Sequence, residues 1–271
     1  HDGCATDGVG GGADRSCCRL MYSTHSRMHG TPRSKAIAAH GLGALMALPL
    51  PNYISKLTQW ASVACMFTFM AGSVLANDLE AMHRAAPGLT QSVLAEALDA
   101  IRCAESRGAA SANTLTVIDY SLPSTQARLW SFDLQSGALL FHEWVAHGQG
   151  SGENLANHFS NVSGSRKSSL GLFRTAETYV GRNGYSLRLD GLQIGINDQA
   201  RPRAIVMHGA DYVHARFIQR QGRLGRSWGC PAVRQEVARE LMDRIKQSGW
   251  LYVYHPSRSA MNCDAASIVI R

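Results

Sequence analysis

Apolar residues recur at helical spacing in the segment that precedes the first predicted strands. Between residues 78 and 107 they lie three or four positions apart and are interrupted at Pro87-Gly88. They are Leu79, Met82, Leu89, Val93, Leu94, Ala97, Leu98 and Ile101. This spacing places one apolar stripe on a helix, and Gly108 supplies a stop signal. We therefore predict a helical N-terminal segment over 77–110.

The pattern changes to that of β-strands after residue 113. Alternating, β-branched runs predict strands at 114–120, 203–208 and 250–255, and a hairpin of 128–134 with 138–146 around Gln135-Ser136-Gly137. Between the last two strands, Gln235 to Gln247 repeats apolar residues on one helical face. These elements predict a mainly β, sandwich-like domain at 111–258 with a few short helices, followed by a C-terminal tail at 259–271.

A long connection without periodicity runs from His147 to Ser169, rich in Ser, Gly and Asn. Connections of this length in a compact domain are usually functional or disordered.

The first 76 residues do not show the pattern of a folded domain. Residues 1–45 are rich in Gly, Ser, Arg and His without a sustained period, which predicts disorder or an upstream extension of the reading frame. Cys4, Cys17 and Cys18 lie there, but their spacing matches no standard zinc pattern.

A possible start follows at Met46. Trp60 to Ala76 contains no charged residue and ends on Val74-Leu75-Ala76, with small residues at the positions that a signal peptidase reads. Residues 46–76 therefore predict a cleavable signal peptide and an exported protein of the periplasm or cell envelope. A transmembrane anchor is the alternative, since about 20 apolar residues can span a bilayer. Peripheral or transient membrane contact is expected through this apolar segment only.

Charge argues against a nucleic-acid partner. The chain has 27 Lys+Arg and 20 Asp+Glu, a formal net charge of +7, but residues 77–271 carry only +4. This segment has no basic run and no basic strip interleaved with aromatic residues, as nucleic-acid binders have. A weakly basic exported protein suits an anionic polymer of the cell envelope.

One cysteine stands in a context suited to nucleophilic chemistry. Cys230 precedes Pro231, and because proline is favoured at the first helical position, we predict that the thiol lies near a helix N-cap, which would stabilise a thiolate. The N–H groups of Gly229 and Cys230 are candidate oxyanion donors. His208, at the end of a predicted strand, is a candidate general base and acid. A buried structural cysteine is the alternative.

These residues resemble the signature of the YkuD-type L,D-transpeptidases. The resemblance is to a variant branch, the murein L,D-transpeptidase catalytic domain proteins, and covers about residues 114–255. Its motifs are Ser-Leu-Gly at 169–171, Ser-Leu-Arg-Leu at 186–189, Arg-Ala-Ile-Val-Met-His-Gly-Ala at 203–210 and Gly-Arg-Ser-Trp-Gly-Cys-Pro-Ala-Val at 225–233.

The resemblance implies acyl transfer on peptidoglycan stem peptides. In the family, a cysteine attacks the L,D bond of a tetrapeptide stem, D-alanine leaves, and an amine of a second stem resolves the thioester as a 3–3 crosslink. The resemblance makes Cys230 the nucleophile and His208 the base and acid. Gly229, Ser227, Trp228, Arg226 and Gly209 are implied to shape the oxyanion and substrate site, and no cofactor or metal is implied.

The chain departs from the commoner signature at Trp228, where a histidine usually stands. One imidazole, His208, then remains to activate the thiol, unless His214 substitutes for the missing one. An L,D-carboxypeptidase or hydrolase using the same residues is the first alternative, and a non-catalytic peptidoglycan-binding domain is the second. Trp228 is alternatively an apolar wall that holds the stem peptide and excludes water.

Other cysteines and histidines have weaker signals. An oxidising compartment permits a disulfide between Cys103 and Cys263, with two free thiols as the alternative. The spacings of His142, His147 and His158 are irregular, which favours ordinary histidines over metal ligands.

Overall fold

The computed structural model describes residues 79–247, 249–258, 263, 268 and 269. Its helices are a segment at 79–85, α1 (Gln91–Ser106), α2 (Ala215–Gln221) and α3 (Gln235–Ile245), with a 3-10 turn at Gln149–Ser151. Its strands are β1 (Thr114–Asp119), β2 (Leu129–Asp133), β3 (Leu139–Glu143), β4 (Val145–Ala146), β5 (Gly171–Gly181), β6 (Gly184–Gly191), β7 (Val206–Gly209), β8 (Ala232–Val233) and β9 (Gly249–Tyr254).

The strands form one nearly closed sheet. Their order is β3-β2-β1-β9-β5-β6-β7-β8-β4, with parallel pairing only between β1 and β9 and between β7 and β8. The two edge strands, β3 and β4, follow each other along the chain and are separated by Trp144 alone. The two edges of the sheet therefore meet, and the mainly β, sandwich-like architecture predicted from the sequence is confirmed.

Helix α1 covers one face of the sheet. Val93, Leu94 and Ala97 of this helix are buried against apolar side chains of β1, β2 and β9. Those side chains are Leu115, Val117, Trp130, Phe132, Trp250 and Tyr252. Successive strand residues point to opposite faces, so Ile118, Leu251 and Val253 enter a second core on the other side.

Helix α3 closes that second core. Leu241, Met242 and Ile245 of this helix pack with strand residues that include Val206 and Met207 of β7. The helix therefore supports the strand that carries His208.

Local sequence patterns predicted most of these elements. The helical spacing is present as the 79–85 segment and α1, broken where Pro87-Gly88 stands, and α3 and the strands β1, β2, β3, β7 and β9 lie where they were predicted. The β5–β6 hairpin was not predicted. The second half of β5, residues 175–181, extends beyond the pairing of β5 with β9 and is mostly exposed or half-buried, so it shows no regular apolar alternation. Helix α2 was missed because it buries no residue.

The predictions for 1–45 and 46–76, including the zinc alternative, lie outside the described residues, as does most of 259–271. No helix within the described ranges is both long and apolar enough to cross a membrane.

A disulfide joins Cys103 of α1 to Cys263, with 5.6 Å between the two Cα atoms. Of the two possibilities considered from the sequence, a disulfide or two free thiols, the disulfide is therefore confirmed. Because 160 residues separate them along the chain, the bridge ties the helix to the segment that follows β9 and restricts the unfolded chain strongly.

We expect removal of this disulfide to lower the free energy of unfolding by about 2–5 kcal/mol, because the unfolded chain regains the entropy of a long loop. Chemical denaturation of Cys103→Ser/Cys263→Ser beside the wild type measures the effect. Wild type unfolded in a strong reductant serves as the control and should match the double variant. Equal midpoints for oxidised wild type and double variant would contradict the prediction.

Candidate active site

The turn that carries Cys230 is held by the hydroxyl of Ser227. The Gly229 N–H donates to Ser227 Oγ at 3.0 Å, and the same hydroxyl donates to the Cys230 carbonyl at 2.6 Å. Gly229 has φ +122°, which L side chains rarely adopt. A Cβ at this position would lie 2.9 Å from the Lys167 carbonyl oxygen and 3.0 Å from Ile205 Cδ1. Both backbone conformation and space therefore require glycine.

The prediction that Cys230 lies near a helix N-cap is wrong. The two residues after Pro231 form β8, and α3 begins only at Gln235, with Arg234 as its N-cap. Proline here precedes a strand, so the helix N-terminus is several residues from the thiol and cannot act on it, since the dipole effect is confined to the first turn.

The Cys230 side chain is 8% exposed and rests against the start of β7. The Val206 N–H donates to Sγ at 3.4 Å, and the thiol faces the Ala204 carbonyl oxygen at 3.7 Å. Burial raises the pKa of the Cys230 thiol, and the Val206 N–H and the positive charge of Arg203 offset this only in part. The resting thiol is therefore neutral, and a base is required to activate it.

His208 lies on β7, two residues after the strand residue that bonds the thiol. It pairs with Ser186 of β6 on one side and Ala232 of β8 on the other. Its Nδ1 is 2.9 Å from the Gly209 carbonyl oxygen, so Nδ1 carries the proton and the Nε2 lone pair is left to act as a base. Burial lowers the pKa of His208, which keeps the ring neutral. Among the described residues, no hydrogen bond joins this imidazole to Cys230 Sγ.

Only one of the two expected oxyanion donors has an uncommitted N–H. The Gly229 N–H is held by Ser227, which corrects the expectation that it faces the substrate. The Cys230 N–H has no hydrogen-bond partner within the described part of the chain.

Three backbone segments meet at the cysteine turn. A Cβ on Gly148 would collide with the Arg166 carbonyl oxygen and lie 2.7 Å from Gly229 Cα. Ser168 Oγ joins the same segments, accepting the Gly148 N–H at 3.0 Å and donating to the Gly229 carbonyl at 3.1 Å. The 147–169 connection, which the sequence predicted to be functional or disordered, thus forms one wall of the site.

Arg203 fixes that wall and was not singled out by sequence reasoning. Its guanidinium donates to the Ser160 and Lys167 carbonyls at 2.6 and 2.8 Å, and to Ser169 Oγ at 2.6 Å. The only signal available was its place in the 203–210 motif, because its partners lie 34–43 residues earlier in the chain.

Beneath the turn, His147 is fully buried beside Arg128. Arg128 Nη2 is 2.7 Å from His147 Nδ1, so the imidazole accepts and its Nε2–H points to the Gly152 carbonyl at 3.4 Å. Burial and the neighbouring guanidinium lower the pKa of His147 to about 4. The His147 carbonyl accepts the Ser227 N–H at 3.0 Å, which links this buried pair to the cysteine turn.

The other predicted site residues have mainly supporting contacts. Arg226 is paired with Glu153 at 2.7 Å and donates to the Gly152 carbonyl at 2.9 Å. Gly209 has α3 against it, where a Cβ would lie 2.9 Å from Ala238 Cβ. His214 is the N-cap of α2 and accepts the Arg216 N–H at 3.1 Å.

Trp228 is not a covered apolar wall in this structure. Its side chain is 62% exposed, and the guanidinium of Arg166 lies 4.7 Å from its ring centroid. Arg182, at the tip of the β5–β6 hairpin, lies 5.7 Å from the same ring.

The histidines considered as metal ligands have separate partners. His142 is stacked on Trp130 and bonds the Ala127 carbonyl at 3.2 Å, while His147 is bound to Arg128. In the described ranges, no group of three or more His, Cys, Asp or Glu is arranged to hold a metal ion.

The L,D-transpeptidase catalytic domain family model matches residues 85–254. This range is more than half of the chain and contains α1, His208 and Cys230. The chain belongs to the L,D-transpeptidase catalytic domain family. Members of this family act on peptidoglycan stem peptides in the cell envelope.

The chain is also similar, at low sequence identity, to solved structures. An L,D-transpeptidase from Mycobacterium smegmatis is 13% identical, with 53% of this chain and 59% of that one covered and a TM-score of 0.34. The helical cell shape determining protein Pgp2 from Campylobacter jejuni is 11% identical, with 62% and 59% covered and a TM-score of 0.36. The match therefore spans about three-fifths of the length of these proteins. No curated protein sequence matches the chain.

In this L,D-transpeptidase domain we expect Gly229→Ala to lower the free energy of unfolding by about 1–3 kcal/mol and to abolish thiol acylation, because a Cβ strains the turn that presents the thiol. Denaturant unfolding and intact-mass measurement with a carbapenem would test both effects.

The control is Gly164→Ala, also at positive φ but with no atom within 4 Å of its Cβ position. It should be acylated normally. Normal acylation of Gly229→Ala would show that the turn tolerates a side chain.

We expect the domain to lose stability as the pH falls from about 6.5 to about 4. In this window the unfolded chain protonates His147 while the folded state, with a pKa of about 4, does not, so proton uptake favours unfolding. The loss is on the order of 3 kcal/mol. Denaturant unfolding across this range measures it.

In His147→Asn the dependence on pH should flatten. It should not vanish, because burial lowers the pKa of His208 in the same direction. The control is His142→Asn, which changes an exposed histidine and should keep the wild-type slope. An unchanged slope in His147→Asn would refute the assignment.

Proposed function

We propose that this protein is a cysteine-dependent peptidoglycan L,D-transpeptidase. In this proposal Cys230 attacks the L,D bond of a tetrapeptide stem, and an amine of a second stem resolves the thioester as a 3–3 crosslink. The observation that carries the proposal is a constrained cysteine turn beside the strand of His208, inside a chain of this family. Among the described residues, His208 Nε2 has no hydrogen-bond partner.

The first step is proton transfer from the thiol to His208. Burial raises the pKa of Cys230 and lowers that of His208, so both groups rest in their neutral forms. The imidazole then acts as a general base at the moment of attack rather than holding a preformed ion pair. The step requires His208 Nε2 to approach Sγ, or one bridging water, when substrate binds; the Val206 N–H bonded to Sγ stabilises the charge that develops there.

Attack of sulfur on the carbonyl carbon forms a tetrahedral oxyanion. The Cys230 N–H is the backbone donor proposed to stabilise it, with Ser227 holding the turn in shape. As the C–N bond breaks, the His208 imidazolium returns its proton to the departing D-alanine amine, which leaves a thioester and a neutral imidazole.

Resolution of the thioester reverses these roles. The amine of a second stem attacks the thioester carbonyl, His208 removes its extra proton, and the thiol is regenerated as the new amide bond forms. The acceptor must enter from solvent, where exposed Trp228 lies beside the turn.

An L,D-carboxypeptidase is the second candidate, using the same residues with water as the acceptor. The exposure of Trp228, which leaves the surface beside the turn open to solvent, favours this alternative. Analysis of products from a tetrapeptide stem with and without an added amine acceptor separates the two activities.

The proposal extends to where the protein works. A peptidoglycan substrate requires export, and the apolar 46–76 segment provides the signal, with membrane contact limited to that segment. Stem peptides are the partner, no nucleic acid takes part, and the reaction uses no cofactor.

We expect the full chain to form a stoichiometric covalent adduct with meropenem, because an activated thiol can attack the β-lactam carbonyl of this compound. Intact mass spectrometry measures the adduct. Cys230→Ala should form none, and His208→Gln should acylate about 100-fold or more slowly, since a positioned base contributes that much.

His214→Gln is the matched control and should acylate at the wild-type rate. An unmodified wild type with a normal unfolding midpoint would instead favour a non-catalytic peptidoglycan-binding domain.

A further inference from the structure

An exposed cluster of one indole and two guanidiniums lies beside the cysteine turn. Trp228 stands two residues before Cys230, and the charged groups of Arg166 and Arg182 lie 4.7 and 5.7 Å from its ring centroid. The two arginines come from the 147–169 connection and from the tip of the β5–β6 hairpin. We call Arg166, Trp228 and Arg182 the Trp228 cluster.

The positive charge of this cluster is not neutralised by the described part of the protein. Seven other arginines among the described residues are paired with carboxylates within 3.1 Å, namely Arg84, Arg102, Arg188, Arg201, Arg223, Arg226 and Arg234. Neither Arg166 nor Arg182 forms an ion pair with any described residue, and both are exposed. A guanidinium presents several donors in a rigid fork that matches a carboxylate, so the cluster has unused capacity for an anion.

The cluster adjoins the cysteine turn through its backbone. The Arg166 carbonyl and Gly229 Cα both lie against the Cβ position of Gly148, and Gly229 adjoins the nucleophile. An indole that stacks two guanidiniums restricts their motion, which lowers the entropy lost when they bind a ligand. An anion one residue from the scissile bond would meet them.

We infer that the Trp228 cluster binds the C-terminal carboxylate of the residue that leaves, and so selects stems that end one residue after the attacked bond. This inference rests on the proposed function. In a tetrapeptide stem that carboxylate belongs to the D-alanine next to the scissile carbonyl. A stem one residue longer, or one amidated at its C-terminus, lacks a carboxylate at this position.

The test is a binding measurement that does not depend on turnover. Full-length Cys230→Ser is titrated by calorimetry with a stem tetrapeptide and with the same peptide as its C-terminal amide. We expect the acid to bind about tenfold more tightly, since hydrogen bonds to charged groups have this strength. Adding Arg166→Gln and Arg182→Gln together should remove the difference, and Lys at both positions should restore part of it.

The control is Arg84→Gln in the same background, which removes one exposed positive charge, that of an arginine paired with Glu80 on the 79–85 helical segment. It should keep the preference for the acid. Unfolding midpoints check that every variant is folded.

The outcomes separate this inference from the proposed function. Equal affinity for acid and amide, or a preference that survives in the double glutamine variant, overturns the inference while leaving acylation by meropenem intact. No acylation of wild type, with the carboxylate preference present, overturns the proposed catalysis while the assignment of the cluster stands.

Discussion

A fully buried guanidinium holds the place where the two edges of the sheet meet. Arg128 is 0% exposed and donates to the Val145 and Leu122 carbonyls and to His147. Burial of an unpaired charge is costly, and it lowers the pKa of Arg128 to about 10. These acceptors, and the face of Tyr120 at 4.9 Å, compensate for lost hydration. Because β3 and β4 are separated by one residue, losing these bonds would open the sheet at its seam.

The same guanidinium acts on the cysteine turn through two steps. Its hydrogen bond to Nδ1 accounts for the neutral tautomer of the His147 imidazole. The main-chain carbonyl of the same residue accepts the Ser227 N–H. Ser227 in turn holds the N–H of Gly229 and the carbonyl of Cys230. Closure of the sheet and shape of the turn are thus parts of one hydrogen-bonded chain, so a change at Arg128 should alter reactivity at Cys230 as well as stability.

The sequence indicated the candidate site residues better than the contacts that support them. Cys230 and His208 could be singled out because the residues adjacent to them in sequence form recognisable motifs. The strands could be predicted because the alternation of apolar and polar residues is a local pattern. The role of Pro231 was misjudged because proline suits a strand start as well as a helix start, and two strand residues, Ala232 and Val233, decide between them. Arg128 looked like the first residue of a strand. Nothing adjacent to it in sequence shows that it is buried, since two of its acceptors, Val145 and His147, lie 17 and 19 residues further along the chain.

The substitution of tryptophan at 228 changes what the surface beside the nucleophile can do. An imidazole at this position would exchange protons with the site, whereas an indole cannot titrate and offers a flat face. In this chain two guanidiniums, unpaired among the described residues, lie near that face, and the tryptophan remains largely exposed. In the proposed mechanism, proton transfer then depends on His208, whose ring burial keeps neutral. Position 228 therefore offers a surface suited to an anion, in agreement with the proposed recognition of a carboxylate.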